Sequence, residues 1–353
     1  MTRRELLVLS GAGLISPRPS RGSGPQNLSY PLSGIDGTIT PQDLFFVRDH
    51  FSPPRLSLET WQLSVEGRVS RPRKFSFSDV LELPARQVES VLECSGNAAG
   101  GSAASNGKWE GVPISFLLEK AGIGRDAAFV ELEGADTGRL LAQSPPLPFA
   151  QVVPVEKCLD ASSLLAYKLN GLFLPPRNGF PARALFPGWY GMTSVKWLRR
   201  IVVLSEEDRG SAFHQSGMNR VYNRVIETPE GRKTIPLTSV QVKSAIAWPY
   251  EGMNLPAGNH AVWGFSWTGT GEIRDVSVSV DGGRSWNAAK LDSPGGPYRW
   301  VRWTFAWNAA PGEYTLMSRA ADSMGHQQPL TRDKSRKDVY ELNWCLPLRC
   351  TVR

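Results

Sequence analysis

The chain has 353 residues, enough for about two domains at roughly 150 residues each. Apolar residues make up 41% and charged residues 21%, which excludes a disordered chain, and 34 glycines with 27 prolines exclude a fold built on long helices. The 40 lysines and arginines exceed the 33 acids by 7 but are scattered, which argues against a nucleic-acid surface and favours a local anion site.

The first expected element is an address rather than a fold. Arg3 and Arg4 precede a short apolar stretch, Leu6 to Ile15, and then Ser16-Pro17-Arg18-Pro19-Ser20. This order of a charged region, an apolar region and small residues predicts a twin-arginine export signal with its linker over 1–33, and hence a periplasmic protein. No apolar run is long enough for a membrane-spanning helix.

Residues 61–69 alternate apolar and polar side chains, the period of a half-buried strand. Val88 to Cys94 reads as a second strand, ending at Ser95-Gly96-Asn97. Pro113 to Ala121 reads as a short helix, with proline near its start and Gly122 as its stop. Strands are expected at 128–133, 164–169 and 195–204, so 36–233 is predicted to be an α+β domain. After Pro236 the pattern changes. Residues 273–280 alternate cleanly, Asp281-Gly282-Gly283 makes a turn, and Trp286 opens a partner strand. Residues 300–307 alternate as well, and Tyr314 starts another strand. Short strands with frequent turns and no helix signal predict a β-sandwich over 236–353; the 12 tryptophans suit such large flat cores.

Cys94 is the first residue that can carry chemistry. It ends an apolar strand and precedes a glycine-rich turn, where a thiolate could act as nucleophile or as soft metal ligand. The plainer alternative is a buried core cysteine. The other cysteines, Cys158, Cys345 and Cys350, form no zinc-type spacing or disulfide framework. In Phe45-Phe46-Val47-Arg48-Asp49-His50, Arg48 and His50 can together hold an anion, although the segment also reads as an exposed polar loop. Glycine and proline turns alternate with single cations through Tyr167-Lys168-Leu169-Asn170-Gly171, Asn178-Gly179-Phe180-Pro181-Ala182-Arg183, Pro187-Gly188-Trp189-Tyr190-Gly191 and Ser194-Val195-Lys196-Trp197. Such turns suit a backbone cradle for a phosphorylated ligand, and each taken singly is also an ordinary hairpin turn.

Taken in order, these segments closely resemble the sulfite oxidase family of molybdopterin enzymes. Val280-Asp281-Gly282-Gly283-Arg284-Ser285-Trp286, with Trp300, Trp303 and Asp322, resembles that family's immunoglobulin-like dimerisation domain. The resemblance runs from about 36 to 345. It implies a molybdenum–molybdopterin cofactor, with Cys94 as the metal ligand. It implies cofactor and pocket contacts from Phe46, Val47, Arg48, Asp49 and His50. Further along the chain it implies contacts from Asp136, Asn178, Arg183, Ser194, Val195 and Lys196, with Lys196 a partner of the pterin phosphate. It also makes Tyr167 the active-site tyrosine.

Departures from the family pattern bear on the substrate. Asp49 stands where asparagine is common, and Asn178 replaces a histidine. Ala98 and Ala99 stand where sulfite oxidisers carry arginine, so sulfite is expected to bind poorly, and Ala99→Arg to improve it. Arg299, Arg302 or His214 are the cations that could otherwise fill the role. The implied activity is oxo transfer on a small sulfur-containing substrate, with electrons leaving to a separate carrier such as a c-type cytochrome, and a homodimer as the assembly. The alternatives are an S- or N-oxide reductase on the same cofactor and a non-catalytic binding protein.

Overall fold

The computed structural model describes residues 24–210, 222–336 and 338–353. Residues 1–23 of the expected export segment, and His214, lie outside the described residues. Its linker end, 24–33, is described and joins the fold: Asn27–Leu28 pairs with Val47–Arg48, and Leu32 is buried.

The first half of the chain builds two five-stranded sheets. One is antiparallel, with Leu172–Phe173, Leu164–Leu169, Ala104–Pro113 and Arg86–Glu93 in order, and Arg183–Leu185 paired with Leu164–Leu169. The other runs Arg73–Ser76, Gln62–Gly67, Leu198–Ser205, Ala127–Gly138, Leu147–Pro154. Within it Leu198–Ser205 lies parallel to Gln62–Gly67, so the chain must cross over between them. Leu63, Val65, Val130, Leu132, Ile201 and Val203 of this second sheet share one core with Val112, Leu165 and Tyr167 of the first.

The expected helix forms over Ile114–Ala121. Pro113 caps it, and Gly122 ends it with φ 69°, a left-handed conformation that suits glycine. Leu117 and Leu118 are fully buried and contribute roughly 1.5–3 kcal/mol each by leaving water. Two other short helices accompany it, Phe77–Glu82 and Val155–Leu159. A capping box of Ser76 and Asp79 starts the first of these. These α-helices have 6, 8 and 5 residues, so the fold is mostly β and the helical share is smaller than an α+β label implies. The physical reason is the density of glycine and proline breakers already visible in the composition.

The second half places Lys243–Trp248, Gly258–Trp267, Val301–Ala309 and Lys290–Leu291 in one sheet. Met253–Leu255, Leu348–Val352, Gly312–Asp322, Ile273–Ser279 and Asn287–Ala288 form another. Val262, Val301 and Trp303 from the first share a core with Val276, Val278 and Leu316 from the other. The predicted turn after residue 280 closes through Asp281, whose carboxylate accepts the Arg284 and Ser285 amides at 3.0 and 2.9 Å. The strand after Trp286 is present but short, Asn287–Ala288. Between the halves, Asn223–Thr228 and Gly231–Pro236 pair as a separate hairpin that periodicity did not indicate.

A third apolar core spans the two halves. Leu32, Ile35, Val91 and Tyr190 pack with Phe265, Trp267 and Trp300, and the rings of Phe265 and Trp300 stack at 4.4 Å. The segment 338–346 also returns from the second half onto the first, where the Glu341 amide donates to the Ser95 carbonyl at 2.9 Å.

Candidate active site

A cavity of about 700 Å³ opens where the strand ends of the first half meet the 338–346 segment. Cys94 lines it, one residue beyond the strand Arg86–Glu93. The turn that follows closes on itself: the Cys94 amide donates to the Ala103 carbonyl at 2.9 Å, and the Asn97 amide to the Cys94 carbonyl at 2.9 Å. Gly101 is required there, because a Cβ would come within 2.5 Å of Asn97 Oδ1. Burial pushes the Cys94 thiol above its ordinary pKa, and the nearby Arg48 guanidinium pulls it back down.

Arg48 and His50 line the same cavity. Val47–Arg48 is a two-residue strand paired with Asn27–Leu28, which holds the segment extended. Arg48 is exposed in the cavity and pairs with no carboxylate among the described residues. His50 Nδ1 lies 3.2 Å from the Tyr222 hydroxyl. Burial and Arg48 both lower the His50 pKa, so the ring is neutral near pH 7. Phe46 and Val47 also line the space, whereas Asp49 does not. Asp49 is buried behind the wall, where it takes the Gln26 amide at 3.0 Å and forms an ion pair with Lys196.

The remaining predicted residues other than Tyr167 also line the cavity. Lys196 lies over the Trp197 ring at 4.3 Å and donates to the Arg177 carbonyl at 3.3 Å. Burial lowers its pKa, and Asp49 opposes that shift and keeps the ammonium charged beside it. Arg183 is buried and donates to the carbonyls of Asn178 at 3.1 Å and Ser194 at 2.6 Å. Ser194 is a brace, its hydroxyl taking the Phe186 amide at 3.0 Å, and Val195 lines the wall beside it. Asp136 and Asn178 are buried against the cavity, and one side-chain oxygen of each, Oδ1, has no partner among the described residues. Burial raises the Asp136 carboxyl to about 7. Arg177, which sequence reasoning passed over, lines the cavity beside Asn178 with its Nε unpartnered among the described residues.

Three expectations need correction. Tyr167 is not at the cavity: it is 3% exposed in the core between the sheets, edge-on to Phe77 at 6.2 Å. The cavity's tyrosines are Tyr222 and Tyr340, which come from the inter-unit region and the 338–346 segment. Ala98 lines the cavity, but Ala99 is 2% exposed and does not, so Ala99→Arg would not add a pocket cation. Finally, Arg299 bonds the Gly295 carbonyl at 3.1 Å, and Arg302 pairs with Asp292 over the Trp263 ring; neither lines the cavity.

Among the described residues, no cluster of three His, Cys, Asp or Glu side chains could hold a metal ion. The cavity offers one thiol, Cys94, together with cations and hydrogen-bonding groups that have no partner among the described residues.

Comparison with known proteins agrees with that chemistry. Residues 50–212 match the family described as oxidoreductase molybdopterin binding domain, and residues 234–344 match the Mo-co oxidoreductase dimerisation domain. The chain is 30% identical over 318 residues to sulfite oxidase of Gallus gallus, covering 82% of this chain and 68% of that protein. It is 30% identical over 318 residues to nitrate reductase [NADH] 2 of Phaseolus vulgaris, but spans only 35% of that protein's length. The fold superposes on the sulfane dehydrogenase SoxCD from Paracoccus pantotrophus with a TM-score of 0.78 and 28% identity, over 93% of this chain and 88% of that one.

Proposed function

The chain belongs to the sulfite oxidase family of molybdopterin-dependent oxidoreductases, and from that premise we propose that it oxidises a small sulfur-containing substrate at Cys94. It is an oxidoreductase that uses the molybdenum–molybdopterin cofactor. When bound, the cofactor supplies two-electron oxo transfer at its metal.

The residues present fit that group. Cys94 offers a thiolate to a metal that takes few other protein ligands. The unpartnered oxygens of Asp136 and Asn178 suit the hydrogen-bond donors of a pterin ring. Arg177, Arg183 and Lys196 suit its phosphate, with Asp49 orienting Lys196. On the substrate side, Arg48 would bind an anionic group and hold it near the thiolate. With Nδ1–H donating to the Tyr222 oxygen, the neutral His50 would keep Nε2 free for a proton released by the substrate. Tyr222 and Tyr340 would form the aromatic wall that excludes water.

One observation carries this reading: Cys94, Arg48 and the orphaned Asp136 and Asn178 face a single cavity. With Arg48 as the one cavity arginine free of hydrogen-bond partners among the described residues, the cavity favours a reduced-sulfur group such as a sulfane over free sulfite, in keeping with the sulfane dehydrogenase that superposes on nearly the whole chain. We further propose a catalytic domain over 36–233, an immunoglobulin-like dimerisation domain over 236–353 and a homodimer. Electrons would pass to a separate carrier such as a c-type cytochrome, after export by the twin-arginine route to the periplasm. The second reading, S- or N-oxide reduction, is favoured only by the low pocket charge. Metal and pterin analysis of the native protein, followed by turnover with a persulfide, sulfite and methyl sulfoxides, tests the proposal. Absence of molybdenum, or turnover of the sulfoxide alone, would overturn it.

A further inference from the structure

The residue before Cys94 is held by the other half of the molecule. Glu93 is fully buried, and its carboxylate is surrounded by donors. It forms an ion pair with Lys243, which is itself 1% exposed and lies at the start of Lys243–Trp248. Trp267 Nε1 donates to the other carboxylate oxygen at 2.8 Å. Asn97 Nδ2 donates to Glu93 at 2.9 Å, and Asn97 Oδ1 accepts the Ala103 amide at 3.0 Å. Lys243 thus reaches the Cys94 turn directly, donating to the Ala98 carbonyl at 3.5 Å, and together with Trp267 through one carboxylate and one amide.

Stability alone does not account for this arrangement. Taking an ammonium and a carboxylate out of water costs several kcal/mol each, and apolar side chains of the same volume often do as well or better. What the pair adds is direction: it fixes where the Glu93 carboxylate points, and so how Asn97 closes the turn. We propose that Glu93 and Lys243 are positioning residues that, through Asn97 and the Ala98 carbonyl, hold the Cys94–Ala103 turn so that the thiolate is presented to the metal in one orientation. The inference rests on the reading of Cys94 as metal ligand. It assigns the second half of the chain a part in shaping the metal site.

The test uses the full-length, cofactor-loaded protein and the variants Lys243→Met, Lys243→Arg, Trp267→Phe and the double variant Glu93→Gln/Lys243→Met. Lys243→Met should speed hydrogen exchange of the Cys94, Asn97, Gly101 and Ala103 amides by about tenfold or more, while the Ala261–Phe265 amides keep their protection. It should also shift the paramagnetic resonance signal of the reduced metal, and lower kcat by about tenfold with KM nearly unchanged. Lys243→Arg should return part of each effect. The double variant, which leaves no buried charge uncompensated, should be less impaired than Lys243→Met. Trp267→Phe removes one donor and should move the same readouts in the same sense by less, which keeps the question open to test if Lys243→Met fails to fold. Equal acceleration of exchange in both regions, or an unchanged turn and resonance signal in a folded Lys243→Met protein, would overturn the proposal. Failure of the ligand reading would appear separately, as full activity in Cys94→Ser, and the exchange measurement does not depend on it.

Discussion

Replacing Ala98 with arginine should turn a weak sulfite site into a better one. Ala98 is exposed at the cavity wall, in the turn that begins at Cys94, and among the described residues Arg48 is the exposed arginine lining that cavity without a carboxylate partner. A second guanidinium about 4 Å from one unit of negative charge on a bound anion gains about 4 kcal/mol at an effective dielectric of 20 and about 1 kcal/mol in bulk water. The cavity opens to solvent, so about 2 kcal/mol is a fair intermediate. Immobilising a long side chain costs roughly 0.5–1.5 kcal/mol, which leaves about 1 kcal/mol. That corresponds to about a fivefold fall in the sulfite KM. Steady-state kinetics at low and high salt is the assay, and the gain should shrink as salt rises. Ala99→Arg is the contrast: with Ala99 buried and off the cavity, it should lower the thermal midpoint and leave KM alone. A folded, cofactor-replete Ala98→Arg enzyme with unchanged KM would refute the reasoning, as would a micromolar sulfite KM in the natural protein.

Cys94→Ser should keep the fold and much of the pterin but abolish turnover, measured by circular dichroism, pterin fluorescence and activity. Tyr222→Phe removes the hydroxyl beside His50 and should lower kcat by about tenfold or more, whereas Tyr167→Phe, in the core, should leave activity near normal; equal effects would put the wrong tyrosine at the site. Asp136 is held neutral by burial, with its pKa raised from 3.8 to about 7. The unfolded chain therefore releases that proton first, and Asp136 withdraws stability as pH rises from about 4 to about 7. In cofactor-free protein, Asp136→Asn should raise the thermal midpoint above pH 7 and flatten its decline across that window.

Much of the architecture could be read locally. The helix Ile114–Ala121 was framed by Pro113 and Gly122, and the strands Leu164–Leu169 and Ile273–Ser279 by their apolar patterns. The capping box at Ser76 and Asp79 was equally local, a Ser-x-x-Asp signal available to the same reasoning. The cation Arg177, next to Asn178, could have been included with the neighbouring turn residues. Tyr167 could not be placed this way. Its strand is buried on both faces, so alternation carries no information about which side meets the cavity and which meets the core.

The sequence by itself determined several of the elements, among them the helix Ile114–Ala121 and the strands Leu164–Leu169 and Ile273–Ser279, and the set of chemical groups, because strand period, helix caps and turn residues are written in neighbouring positions. The tertiary structure decided which of those groups share a space. Ala98 rather than Ala99 faces the cavity, Tyr222 and Tyr340 supply its aromatic wall, and Glu93 meets Lys243 across 150 residues of chain. Those choices depend on how sheets pack face to face and how a distant segment folds back over a turn. They are set by burial and hydrogen-bond satisfaction between residues far apart in the chain, which no local period encodes.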